Sequence, residues 1–333
     1  MNIAFLHYDL PPVAEGGVAY QVDLLARVLS RKHMLTMFTT TPTSVEREYT
    51  TKQVRLNHPG RLTRSLGIGI AFGRLDLSNF DLVHAHGDSW AVKHRAVVRT
   101  FYGTAIQEAR SATSLKRKAA QTLQYGLELV AAARADVRTA ISQDTAGRLP
   151  GIDYVIPAGV DDEVFYPGTN RFEEPTVVLV AGRLGGRKRG WLALDAFREA
   201  RRRVPNAQLI LITRDLVREP GVRCLSAISS LQLADLYRRA WVLLSASKYE
   251  GFGLPYAEAL LSGLPVVTTI NVGAQEVLAG TDAALVSDNT LSHALVATLL
   301  KGPRPYVVPQ CAERFRVAHV ADQFDKLYSQ VLV

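Results

Sequence analysis

Glu250 and Glu258 flank a short turn in the stretch SKYEGFGLPYAEALLSGLPVV, Ser247 to Val267. The run before the turn, WVLLSAS, has the length and apolar character of a buried strand. The run after it, PYAEALLSG, reads as a helix that Gly263 closes in a left-handed cap. Pro255 suits the first helical position, where a missing N–H leaves no bond unmade. Gly251 and Gly253 stand just ahead of that helix, with no side chain to obstruct a group approaching the amides of Phe252, Gly253 and Leu254. This is a place for a phosphate. Glu250 at the strand end and Glu258 in the first turn of the helix would accept hydrogen bonds from hydroxyls on either side of a diphosphate. Each glutamate also has a plainer use, Glu258 as a complement to the helix dipole and Glu250 as a solvated turn residue. The spacing around GFGLP favours the ligand.

Two cations fit the same chemistry. Arg183 closes the strand-like TVVLVAGR, and Lys188 lies five residues on, ahead of a helix. Together they would neutralise charge developing on a departing phosphate. The plainer alternative makes Arg187, Lys188 and Arg189 a solvated basic loop; the agreement of Lys188 with Arg183 and the glutamate motif favours the ligand. Gly16 and Gly17, between the first strand and the first helix, offer a second approach for phosphate or serve as an ordinary turn. His84 and His86 alternate on VHAH and are expected on opposite faces of that strand, one of them a core histidine. His86, nearer the carboxyl end, is the candidate for the site. Gly67, Gly69 and Gly73 have the spacing G-x-G-x-x-x-G and do not follow the first strand, so packing is expected of them rather than dinucleotide binding.

The elements that would position these residues follow a repeating β-α-β rhythm. NIAFLH, MLTMFTT, DLVHAH, AVVRTF and VRTAI alternate with amphipathic helical runs, including one long helix from about Ala105 to Ala135. The rhythm restarts after a linker-like stretch rich in Pro, Gly and acids, with TVVLVAG, AQLILIT, WVLLSAS, PVVTT and AALVS as strands. The expected organisation is α/β, two doubly wound Rossmann-like domains at 1–160 and 161–311, then a helix over 312–333 that packs back on the first domain. Sites in such sheets lie beyond the carboxyl ends of the strands, here in the cleft between the domains.

The 333 residues are 47% hydrophobic and 21% charged, ordinary for a chain that buries a full core. No apolar run reaches membrane-spanning length. The N-terminus lacks the basic region of a signal peptide. Two cysteines, Cys224 and Cys311, make no disulfide framework, which points to a reducing cytoplasm. The net charge of +8 suits an anionic ligand or membrane face. The basic clusters carry no interleaved aromatics and no nucleic-acid motif, so nucleic acid is not expected.

With these motifs in hand, the chain resembles the retaining glycosyltransferases of the family 4 group, with their GT-B fold, over nearly its whole length. The resemblance rests on PPVAEGG, DLVHAH, VIPAGVDDEVFYP, LVAGRLGGRKRGWLALDAF and the E-x7-E signature YEGFGLPYAEALLSGLPVVTT. It implies a nucleoside-diphosphate sugar as donor, a UDP-sugar foremost, and a hydroxyl acceptor. Arg183 and Lys188 would hold the diphosphate and Glu258 the ribose. Glu250 would hold the transferred sugar, near the amides of Gly251 to Leu254. It also implies transfer with retention, and no cofactor is expected. No D-x-D occurs, so no metal is expected. Where the family has a histidine near the transferred sugar this chain has Tyr102, in RTFYGTA, a poor base at neutral pH. That departure keeps a non-catalytic nucleotide-sugar-binding member in view, beside a nucleotide-sugar epimerase of the same fold. A glycosidase with its two facing carboxylates is a further alternative, disfavoured by the cations. Lys116, Arg117 and Lys118 offer a peripheral contact with an anionic membrane at its cytoplasmic face, and a solvated face explains them equally.

Overall fold

The computed structural model describes residues 1–12, 17–42, 45–56, 61–111, 114–303, 305 and 307–332. The chain divides into two units, Met1–Gly159 with Val317–Val333, and Val160–Arg316.

The first unit runs β1 (Asn2–Leu6), α1 (Gly17–Ser30), β2 (Met34–Thr39), β3 (Thr50–Gln53), α2 (Arg61–Gly73), β4 (Leu82–Ala85), β5 (Val97–Phe101), α3 (Ala105–Ser111), α4 (Leu115–Arg134), β6 (Val137–Ala140), α5 (Gln143–Ala146) and β7 (Tyr154–Val155). Its sheet has the order β3-β2-β1-β4-β5-β6-β7, with every neighbouring pair parallel. Parallel strands need crossover connections, and helices on the faces supply them. Every residue of β4 and β5 is buried, His84, Arg99 and Thr100 included, so these strands show no alternation of buried and exposed positions.

The second unit runs β8 (Thr176–Gly182), α6 (Gly190–Arg203), β9 (Gln208–Thr213), β10 (Val222–Leu225), α7 (Ser230–Arg239), β11 (Val242–Ser245), α8 (Leu254–Leu261), β12 (Val266–Thr269), α9 (Val272–Val277), β13 (Ala284–Val286) and α10 (Leu291–Leu300). Its parallel sheet has the order β10-β9-β8-β11-β12-β13. Val177, Leu179, Leu209, Leu211, Val242 and Leu244 point to one face, where Leu194 and Phe197 of α6 and Leu295 of α10 complete a core. The last helix, α11 (Val317–Val331), returns to the first unit. Its Val320, Phe324, Leu327 and Tyr328 share a core cluster with Val22, Leu25 and Leu29 of α1.

Three expectations are corrected. The single helix over 105–135 is two helices, α3 and α4, with Ser114 extended at φ −102° and ψ 132° ahead of the second. Ser and Thr side chains compete for backbone hydrogen bonds, and SATS is rich in them. The tail is helical only from Val317, because Gln310–Phe315 form a 3-10 turn. His84 and His86 do not oppose each other: residues two apart on a strand share a face, and the two rings lie 3.8 Å apart. Gly69 and Gly73 lie within α2, and a side chain on Gly73 would collide with the Ala91 carbonyl at 2.7 Å, so close packing is their use.

Candidate active site

In the second sheet the strand order reverses between β8 and β11, and the loops leaving their carboxyl ends border the resulting crevice. The loop after β8 carries Arg183, Gly185, the 3-10 turn Gly186–Lys188 and then Arg189. A Cβ added at Gly185 would meet no atom within 4 Å, and the backbone there (φ −81°) does not demand glycine. The open space beside it suits a ligand.

The three consecutive cations have different work. Arg189 takes the left-handed conformation, φ 45°, and its guanidinium donates to Ala246 O (2.7 Å), Thr269 Oγ1 (3.1 Å) and both Asp288 oxygens (2.6 and 2.9 Å). It therefore ties the loop to the ends of β11 and β12. Arg187 donates to Tyr249 O (2.8 Å) and Glu250 Oε2 (2.7 Å). Lys188 turns inward, its Nζ donating to Val180 O at 3.2 Å, and lines a small cavity with Ser245, Ser247, Glu250 and Tyr256. Burial pulls the Lys188 pKa down, Glu250 and Glu258 push it back up, and Arg187 adds to the fall. Arg183 is exposed, with no hydrogen bond or ion pair among the described residues joining it to either glutamate.

The loop after β11 presents the carboxylates. Glu250 is buried and held at both oxygens, by Arg187 and by Ser247 Oγ at 2.8 Å. Glu258 is the fifth residue of α8, in the second turn rather than the expected first. It thus lies beyond the strongest reach of the helix dipole, and the dipole explanation for this acid weakens. Its carboxyl is buried, and burial pushes its pKa up to about 8 while Lys188 pulls the other way. Gly253 caps α8 at φ 97°, a conformation that a side chain rarely adopts, and a Cβ there would meet the Tyr256 ring at 2.5 Å. The helix start therefore leaves its first amides uncovered by any capping side chain.

A polar network fixes this loop. Asn271 Nδ2 donates to Ser247 O (3.2 Å), Thr269 O (3.1 Å) and Tyr256 Oη (3.2 Å), while its Oδ1 caps α9 by accepting from Ala274 N (3.0 Å). The Tyr256 hydroxyl also bonds Ser245 Oγ (3.0 Å) and Thr268 Oγ1 (3.1 Å). Phe252 packs edge-on to Phe315 at 5.7 Å.

The other sequence candidates belong to the first unit. Gly17 opens α1, and a Cβ there would meet nothing within 4 Å; Gly16 lies outside the described residues. His86 follows β4, buried, with Nδ1 bonded to the Tyr102 hydroxyl (3.0 Å) and Nε2 without a hydrogen bond. Burial, reinforced by His84, His7 and Arg99, holds its pKa well below the usual value, so the ring is neutral at pH 7. Burial raises the Tyr102 pKa, with Arg99 opposing. His84 is the core histidine, bonded to Tyr328 Oη (2.5 Å) and Thr100 Oγ1 (2.7 Å).

Sequence reasoning passed over Arg187, Arg189, Tyr256 and Asn271. Nothing in the string RKR separates three cations that a 3-10 turn aims in three directions. Ser247, three residues before Glu250, was the one local cue, since that spacing lets a hydroxyl reach a carboxylate.

Comparison with known proteins addresses the family and the fold. Residues 15–164 match the family model Glycosyltransferase Family 4, and residues 175–301 match that of Glycosyl transferases group 1. Mannosylfructose-phosphate synthase of Agrobacterium fabrum is 30% identical over 177 residues, covering 44% of this chain and 39% of that protein. D-inositol 3-phosphate glycosyltransferase of Corynebacterium aurimucosum is 28% identical over 295 residues, 77% of this chain and 68% of that one. The chain thus spans about two fifths of the first relative's length and two thirds of the second's. The crystal structure of Anabaena HepE in complex with UDP-glucose superposes with a TM-score of 0.72 at 16% identity, over 99% of this chain and all of that one. The two Rossmann-like units are of the GT-B type.

Proposed function

The chain belongs to the family 4 group of glycosyltransferases, and from that premise we propose that it transfers a sugar, with retention, from a nucleoside-diphosphate sugar to a hydroxyl acceptor. The observation that carries the proposal is the convergence of Lys188, Glu250 and Glu258 at the switch point beside the uncapped start of α8. A diphosphate would lie against the amides of Gly251, Phe252, Gly253 and Leu254, with Lys188 and Arg183 as counter-charges and with Gly16 and Gly17 at a second approach. Glu258 would accept from the ribose hydroxyls and Glu250 from the transferred sugar, Arg187 holding the latter carboxylate in place. UDP is the favoured nucleotide, because a structural neighbour was solved with UDP-glucose.

In the transfer step the bond from the anomeric carbon to the phosphate oxygen breaks, and a bond to the acceptor oxygen forms on the same face. The acceptor proton passes to the departing phosphate. Lys188 and Arg183 stabilise the negative charge left there, and this electrostatic work needs no metal in our reading. His86, neutral and with Nε2 free of hydrogen bonds, supplies a donor or acceptor to a hydroxyl on the first unit, and Tyr102 fixes its ring. A peripheral contact with an anionic membrane belongs to the same reading, and its basis is the outward face of α4.

A thermal-shift panel of UDP, GDP, ADP and dTDP tests the donor. UDP is expected to raise the melting temperature most, and the sugar product, analysed by NMR, is expected to keep the donor's anomeric configuration. Equal shifts for all four nucleotides, or none, would remove the donor assignment. An inverted product would remove the retaining one.

A further inference from the structure

α4 is twenty residues long, and its outward face is the wrong way round for a helix that only packs on its own sheet. Leu115, Leu123 and Val130 are 85%, 50% and 40% exposed, and Ala119, Gly126 and Ala133 are exposed with them. At 100° per residue these six fall within one arc of about 80°, a stripe about 27 Å long. Thr122 borders the arc, and its hydroxyl is turned back onto Lys118 O at 2.9 Å. Lys116 and Arg134 flank the stripe on one side and Lys118 on the other, all exposed, with Arg117 in the same first turn. The helix contains one acid, Glu128, and that side chain points inward to accept from Ala105 N at 3.0 and 3.2 Å.

We propose that this face of α4 docks on the surface of a bilayer containing anionic lipid, the apolar stripe lying at the headgroup–acyl boundary and the flanking cations against the headgroups. The inference deepens the membrane contact in the reading above and is independent of the donor nucleotide. An apolar arc edged by Lys and Arg, with no exposed acid, is the pattern of a helix lying in an interface. Among the described residues no helix is long and apolar enough to cross a membrane, so the contact is superficial. A second copy of the chain is a poorer occupant. A two-fold pairing of this face would set cations against cations with no carboxylate to meet them.

The test is flotation of the whole protein, without any nucleotide, on phosphatidylcholine vesicles with and without about one third phosphatidylglycerol, in about 0.1 M salt. Binding is expected only with the anionic lipid and is lost as salt rises. Each cation at such a surface is worth about fivefold in partition, so Lys116→Ser with Lys118→Ser weakens it about 25-fold. Leu123→Trp is expected to show a blue-shifted emission increment on the same vesicles, which places α4 itself at the lipid. Unchanged melting temperatures exclude loss of fold as the cause. Equal binding to neutral vesicles, no binding at all, an unshifted Trp signal, or self-association abolished by Leu123→Ser would each overturn the proposal. None of these results would touch the transfer reaction.

Discussion

The two sheets place a switch point in the same topological position, β1 against β4 in the first unit and β8 against β11 in the second, yet they furnish it differently. In the second unit the crevice is charged: Arg187 pairs with Glu250, and Lys188 and the carboxyl group of Glu258 lie beside them at a helix start. In the first the strand ends carry histidines, with buried Arg99 near them. His7 after β1 and His86 after β4 are buried, neither His7 ring nitrogen nor His86 Nε2 makes a hydrogen bond among the described residues, and Asp9 Oδ1 stands 3.5 Å from His7 Nε2. Identical strand order therefore fixes where a ligand can lie and leaves its chemistry to the side chains. A crevice with cations between two carboxyl groups suits a diphosphate and its hydroxyl-bearing flanks. The neutral imidazole of His86 suits an uncharged hydroxyl.

The largest effect should separate the two crevices outright. Lys188→Ala or Glu250→Ala is expected to lower transfer about a thousandfold, the scale of losing one well-placed electrostatic group. Lys188→Ala should also weaken UDP binding by calorimetry, whereas His86→Ala should leave UDP affinity unchanged. Turnover within a few-fold of wild type for Lys188→Ala would erase the contrast.

A second effect sharpens it through pH. Burial holds the free Glu258 pKa at about 8, so the group is protonated at neutral pH in the empty protein. Its pKa is raised on folding, so the protonated form is favoured in the native state and stability falls as pH rises from about 4.5 toward 8. A ribose that donates hydrogen bonds favours the carboxylate, so binding releases a proton. UDP affinity is therefore expected to rise with pH up to about 8, with a slope of at most about tenfold per unit. Glu258→Gln should flatten that dependence. A slope that survives the substitution would assign the proton elsewhere.

The smallest effect concerns the first unit's crevice. Tyr102→Phe removes the hydroxyl bonded to His86 Nδ1 and leaves that nitrogen unpaired. It is expected to cost about 1 kcal/mol of stability by denaturant titration, and to raise the acceptor KM a few-fold without changing UDP affinity. A change in UDP affinity instead would show that the two crevices are not chemically separate.

Much of this was legible in the sequence, for definite reasons. Buried parallel strands leave apolar runs such as TVVLVAG, and the restart of the rhythm marks the second sheet. The strand–turn–helix around Glu250 was legible because glycine and proline punctuate it. What was not legible depends on side-chain direction over short spans. The shared face of His84 and His86 follows from simple periodicity and was misassigned. The place of Glu258 in the second turn hinged on where α8 begins, one residue before Pro255. The separate duties of Arg187, Lys188 and Arg189 arise from a 3-10 turn and a left-handed arginine, neither of which has a sequence signature here. The Asn271–Tyr256 network joins residues 15 apart through tertiary packing alone.

The central claim is that a diphosphate seats where the loop after β11 meets α8. A crystal structure of the protein with UDP tests it directly. The account predicts phosphate oxygens within hydrogen-bond distance of the amides at the start of α8 and of Lys188 Nζ, with the ribose on Glu258. Density for the nucleotide in any other place, or a ribose that ignores Glu258, would contradict it.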